Sequence, residues 1–168
     1  MLFKDIAQYA AIAGQWRVEN ISKSEPVLHG STVAYEDYPF IVNGLEYYFG
    51  KEKGTTYSFP LDEAAIAHLG TFITDIWRVH PFREGNTRTI AVFMEIYMAG
   101  FGVPANNTLF KDHAAYFRDA LVRAAYANRY QGVEPDPIFL RRLLAMLYGG
   151  QQSTLERKEP FLKLTGEG

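Results

Sequence analysis

The sequence predicts an all-α domain. Its apolar residues recur mostly at helical spacing, in segments ended by glycine or proline, and only one stretch, about 17–34, has the mixed pattern of a short hairpin. With 168 residues, 48% of them hydrophobic, and no internal repeat, the chain is long enough to bury one core. Residues 1–150 read as that domain and 151–168 as a polar C-terminal tail.

Taken in order, residues 2–13 place Phe3, Ile6, Tyr9, Ala10 and Ala13 at helical spacing, and Gly14 stops the helix. Trp16, Val18 and Ile21 then alternate with polar residues, and Pro26, Gly30 and Ser31 punctuate the stretch after them, a pattern that predicts an extended segment or hairpin. Residues 35–51 predict a second helix after Pro39, with Tyr35, Phe40, Tyr48 and Phe49 in the core, and 54–60 a loop. The strongest amphipathic helix runs over 61–79, with Ile66, Leu69, Ile73 and Ile76 on one stripe and Asp62 or Glu63 in its first turn. Pro81 ends it, because proline disfavours the α conformation of the residue before it, so His80 is a helix-end residue.

From Thr87 the chain turns apolar again through Met98, predicting a central helix buried on nearly all sides, with Asn86 as its N-cap and Gly100, Gly102 and Pro104 as its stop. A single helix is expected over 109–126. After a polar break at 127–131, Asp136-Pro137 opens a last helix to about residue 148.

Composition excludes several functions. A net charge of -2 with scattered basic residues argues against nucleic-acid binding. The absence of cysteine removes disulfides and cysteine-zinc sites, and no two of the four histidines have zinc-site spacing. The most apolar run, 90–98, is too short to span a bilayer and contains Glu95, and no leader pattern precedes it. A cytoplasmic location is expected, although export through a dedicated apparatus would leave no such trace.

Residues 80–88, His-Pro-Phe-Arg-Glu-Gly-Asn-Thr-Arg, gather the chemistry. The free amides and positive dipole end of the following helix would face the loop holding Glu84 and Gly85, which suits an anion. Gly85 admits close approach of a ligand, Arg88 would clamp a phosphate, Glu84 could share a magnesium ion with it, and His80 is in reach as general base. A helix cap for His80 and a surface ion pair with Arg83 for Glu84 are the plain alternatives.

These residues resemble the signature of the Fic family, His-Pro-Phe-any-Asp/Glu-Gly-Asn-Gly-Arg, and match it at seven of its eight specified positions. The resemblance implies the Fic fold, a helical bundle around a central buried helix with a short β-hairpin flap, and transfer of AMP from ATP to a hydroxyl of a protein target. It implies His80 as the base, Glu84 as the magnesium ligand, Gly85 and Asn86 at the α-phosphate and Arg88 at the outer phosphates. Residues 14–23 resemble the approach to the flap, which in the family pairs with the target's backbone; an ordinary surface hairpin is the alternative. The break at 127–131 resembles the wall around the nucleotide base, making Asn128 and Tyr130 candidates, though turns of this composition are common.

Two positions depart from the pattern. Thr87 stands where most members have glycine and would add bulk beside the phosphates. One branch of the family has lysine there, binds ATP reversed and acts as a kinase. Ala91 stands where many members have a second arginine that meets the outer phosphate and an inhibitory glutamate. No inhibitory Ser/Thr-x-x-x-Glu-Gly/Asn helix is found, so restraint by a separate antitoxin-like chain, or none, is expected. The rivals to AMP transfer are transfer of a phosphoryl or other nucleotide-derived group, and a weakly active nucleotide-binding module.

Overall fold

The computed structural model describes residues 14–103 and 107–150, together with Leu155. The helix expected over 2–13 and most of the tail lie outside the described residues. Six α-helices are described: α1 (Ile41–Glu52), α2 (Glu63–Val79), α3 (Asn86–Ala99), α4 (Asn107–Asp112), α5 (Ala114–Ala125) and α6 (Ile138–Tyr148). Among the described residues there is no sheet, and the one β-bridge joins Asn128 to Val133.

The centre of the bundle is α2, which packs against α1, α3, α5 and α6. Its stripe of Ile66, Leu69, Ile73 and Ile76 is buried with Trp77, against Leu121 of α5 and Leu140, Leu143 and Leu144 of α6. Asp62 starts the helix by accepting from the Ala65 amide at 2.8 Å. The expectation that the helix after Thr87 is the buried centre is corrected: α3 buries one face, through Ile90, Met94 and Met98, while Ile96 is 70% exposed. Continuous apolar sequence suggests burial on all sides, but Phe93 and Tyr97 sit only half-buried in an aromatic cluster with Phe72 of α2.

Three other expectations change. The hairpin over 17–34 is not seen; a 3-10 turn at Pro26–Leu28 takes its place, and Val27 and Leu28 enter the core beside α5. Pro26 has no amide to donate to a ladder, and the Glu25 carbonyl is used locally by the Leu28 and Gly30 amides. The second helix follows Pro39 as expected, from Ile41, but Phe40 and Phe49 are exposed rather than core. The helix over 109–126 is broken at His113 into α4 and α5, which brings the Phe110 and Phe117 rings to 5.1 Å. On a straight helix seven residues span about 10.5 Å, so the bend is what lets both rings share one core site.

Candidate active site

His80 closes α2 in the left-handed conformation, φ 49, with its amide bonded to the Trp77 carbonyl at 3.0 Å. Pro81 excludes the right-handed helical alternative, and a left-handed residue is a common way to end a helix. The side chain is buried at 3% exposure between two rings, Tyr35 at 4.0 Å and Trp77 at 5.2 Å between centroids. Nδ1 lies 3.3 Å from the Trp77 carbonyl oxygen. A carbonyl only accepts, so Nδ1 carries the proton and Nε2 keeps a lone pair. Nε2 is buried with no hydrogen-bond partner in the protein. Burial above all, then the charge of Lys23, push the imidazole pKa down to about 3; the bond to the Trp77 carbonyl opposes this, and Arg17 and Arg118 add smaller downward effects, so the ring is neutral near pH 7.

Arg17 fixes this helix end. Its buried guanidinium donates to the carbonyls of His80 at 2.8 Å, Val79 at 3.3 Å and Glu19 at 2.9 Å, and to that of Glu36, while its amide donates to Pro81 at 2.9 Å. The terminal carbonyls of α2, which no later turn can satisfy, thus meet a cation that also suits the negative pole of the helix. The charge against the dipole comes from Arg17 and not from the neutral His80.

After Pro81 the chain turns back into α3. Asn86 is the first residue of α3 and not its cap: its amide side chain accepts from the Phe82 amide at 3.0 Å and donates to the Phe82 carbonyl at 2.7 Å, locking the loop from inside. The cap position is Gly85, at φ 81, where a side chain would be strained, and no side chain caps α3. The positive pole of α3 therefore opens towards the cavity lined by Gly85, Asn86, Thr87 and Arg88. Thr87 is tied to α2, its hydroxyl accepting from the Trp77 indole at 3.1 Å.

The cavity measures about 690 Å³, within the range of small-ligand sites, and His80, Glu84, Gly85, Asn86, Thr87 and Arg88 all line it. Glu84 is exposed and pairs with Lys23 at 3.3 Å, whose ammonium also donates to the Arg83 carbonyl at 3.0 Å. Arg83 pairs with Glu19 instead of Glu84. Magnesium is usually held by one or two carboxylates together with substrate phosphates, so an accessible Glu84 beside the phosphate-suited helix end fits it. Among the described residues no group of three or more metal-binding side chains exists.

Asn128 and Tyr130 are not brought to this cavity. The Asn128 side chain accepts from the Gln131 amide and donates to the Gln131 side chain and the Tyr126 hydroxyl, while Tyr130 is fully exposed. The walls away from the loop come instead from Val92 and Glu95 of α3, Phe110 and Lys111 of α4, and Phe117 and Arg118 of α5. Sequence reasoning missed Arg17, Glu25, Tyr35 and Arg118. Each acts over a long chain separation, and only a charged residue in apolar company, Arg17 between Trp16 and Val18, gave a local signal.

The sequence model of the Fic/DOC family matches residues 1–98 of the 168, including the whole His80 loop. The chain belongs to the Fic/DOC family. Membership suggests a Fic-type transferase. Comparison with curated proteins and with solved structures returned no match. Among the described residues, no helix of this Fic/DOC protein is long and apolar enough to cross a membrane.

Proposed function

We propose that this Fic/DOC chain transfers AMP from magnesium-ATP to a hydroxyl of a protein target. The observation that carries the reading is the unpartnered Nε2 of His80, a buried acceptor on a cavity that also receives the uncapped pole of α3 and Arg88. A buried acceptor without a partner is costly, and a reacting proton gives it a use. The target oxygen attacks the α-phosphorus, its O–P bond forms as the bond to the β-phosphate oxygen breaks, pyrophosphate leaves, and the hydroxyl proton passes to Nε2. The amides at the start of α3, with Gly85 and Asn86 behind them, hold the α-phosphate, Thr87 bounds it, and Arg88 holds the outer phosphates. Magnesium, when bound through Glu84 and the phosphates, neutralises charge on the triphosphate.

Burial, and after it the neighbouring cations, lower the His80 pKa; a bound polyanion would offset only the cations' share and move the imidazole towards proton acceptance. A second reading, phosphoryl transfer, is favoured by Thr87 and Ala91, which both line the cavity and alter the wall a triphosphate would meet. Incubation with lysate and ATP labelled at the α or the γ position tests both. Label from α supports AMP transfer, label from γ supports the kinase, and label from neither supports a binding module or another donor. His80→Ala should lower transfer by about 10²- to 10⁴-fold with the fold retained; full transfer in that variant removes His80 from the mechanism. We infer that this chain is restrained by a separate antitoxin-like protein or needs no restraint, so the isolated chain should show its activity without removal of any helix.

A further inference from the structure

We propose that Arg118, oriented by the buried Glu25, is a second phosphate ligand that meets the terminal phosphates of a nucleoside triphosphate. The proposal rests on the reading of the cavity as a nucleotide site. On the α3 wall, positive charge stops at Arg88: further along, the lining is Ala91, Val92 and then the carboxylate of Glu95. On the α5 wall, Arg118 lines the same cavity, and Lys111 of α4 adds another cation. The Arg118 side chain lines the cavity and is 40% exposed, while its Nη2 is held by Glu25.

The holding is unusual in its cost. Glu25 is 2% exposed and pairs with Nη2 of Arg118; its other oxygen accepts from the Tyr35 hydroxyl at 3.3 Å. Asp119 approaches Nη1 of Arg118 at 3.4 Å. Burial pushes the Glu25 carboxyl up, and Arg118 and the tyrosine only partly counter it. The pair is half-open, a buried carboxylate against a partly exposed guanidinium, and its place beside the cavity points to orientation of Arg118. A guanidinium is a planar fork, able to keep a carboxylate on one edge and offer the other to phosphate, with less ordering cost on binding. Tyr35 connects this pair to His80, because the same ring stacks on the imidazole at 4.0 Å. The carboxylate that aims Arg118 is therefore two contacts from the group that takes the proton.

The test measures binding, not transfer: affinity of the chain for ATP and for AMP, with magnesium, by calorimetry. Arg118→Gln should weaken ATP binding by about tenfold or more, as expected for loss of a charge-assisted contact, and leave AMP binding within about twofold. Arg118→Lys, which keeps the charge without the fork, should fall between. Glu25→Gln should weaken ATP binding by less than Arg118→Gln, and these two milder variants carry the test if Arg118→Gln does not fold. Unchanged ATP affinity in folded Arg118 variants, or equal loss for ATP and AMP, overturns the proposal while leaving the nucleotide site standing. A wild-type chain that binds neither nucleotide overturns the site reading and this proposal with it.

Discussion

The helix ends at Glu52 and at His80 each bury a titratable side chain, and they treat it in opposite ways. Glu52 is the last residue of α1 and 6% exposed; one oxygen accepts from the Tyr57 hydroxyl at 2.8 Å and the Tyr97 hydroxyl at 2.7 Å, and the other meets His68 Nε2 at 2.7 Å. His80 follows α2, is equally buried, and has one ring nitrogen with no partner. A carboxylate at the negative pole of a helix is electrostatically misplaced, so three polar partners are needed to keep Glu52 there. Those partners come from α2, α3 and the loop between α1 and α2, so the satisfied group ties elements together. The residue that carries the unsatisfied nitrogen, His80, is one of those lining the cavity. An unpaired buried polar atom calls for a reason; at His80 the adjoining cavity supplies one, a ligand or a reacting proton, whereas the other such atom among the described residues, Arg123 Nη1, lies off that cavity.

Breaking the satisfied end should have the largest effect on stability. Glu52→Ala leaves the Tyr57 and Tyr97 hydroxyls without their acceptor, at about 1–3 kcal/mol each, so chemical denaturation should show a loss of roughly 2–5 kcal/mol. Transfer per folded molecule should stay close to wild type, because Glu52 does not line the cavity. A loss below about 0.5 kcal/mol would mean that the cluster is ornamental and the comparison fails on its structural side.

The unsatisfied end should show itself through pH. The folded pKa of His80 lies near 3, below its ordinary 6.5, so the unfolded chain takes up the proton first. Its contribution to stability is full above pH 6.5 and is lost as the pH falls from there towards 3, at up to about 1.4 kcal/mol per pH unit. Glu25, raised by burial, acts in the opposite sense, so the wild type is best compared with His80→Asn, whose side chain also tolerates the left-handed backbone. Denaturation midpoints between pH 7 and 4 should converge as the pH falls. Parallel curves would show that His80 is protonated alike in both states and that its burial has no electrostatic consequence.

How much of this contrast the sequence carried depends on range. The α2 stripe, the Pro81 stop and the loop residues that line the cavity are set by neighbours within a turn or two, so periodicity and the residue types of the loop reveal them. Thr87 and Ala91 were visible as departures, but not that Thr87 bonds an indole on α2. The Arg17 strap, the Glu25–Arg118 pair and the Glu52 cluster join residues 5 to 93 positions apart. Apart from Arg17, set between Trp16 and Val18, nothing local distinguishes their charged members from ordinary surface residues. The α3 error has the same origin: a run of apolar residues states what can be buried, while only the packed neighbours decide how many of its faces are.

Thr87 tests the boundary between the two behaviours, since it is a satisfied polar group on the wall of the unsatisfied site. Thr87→Val keeps the β-branched shape and nearly the same helix propensity, so what it removes is the acceptor for the Trp77 indole N–H. Trp77 is 1% exposed, and its stranded donor should cost about 1–2 kcal/mol, seen as a lower melting temperature. If Trp77 and Thr87 together hold the start of α3 against the end of α2, amide exchange should also quicken over residues 85–89 while the Glu52 cluster keeps its protection. Faster exchange at both places would make the two helix ends one cooperative unit. Unchanged exchange at both would leave Asn86, bonded to both polar groups of Phe82, as the lock on the loop.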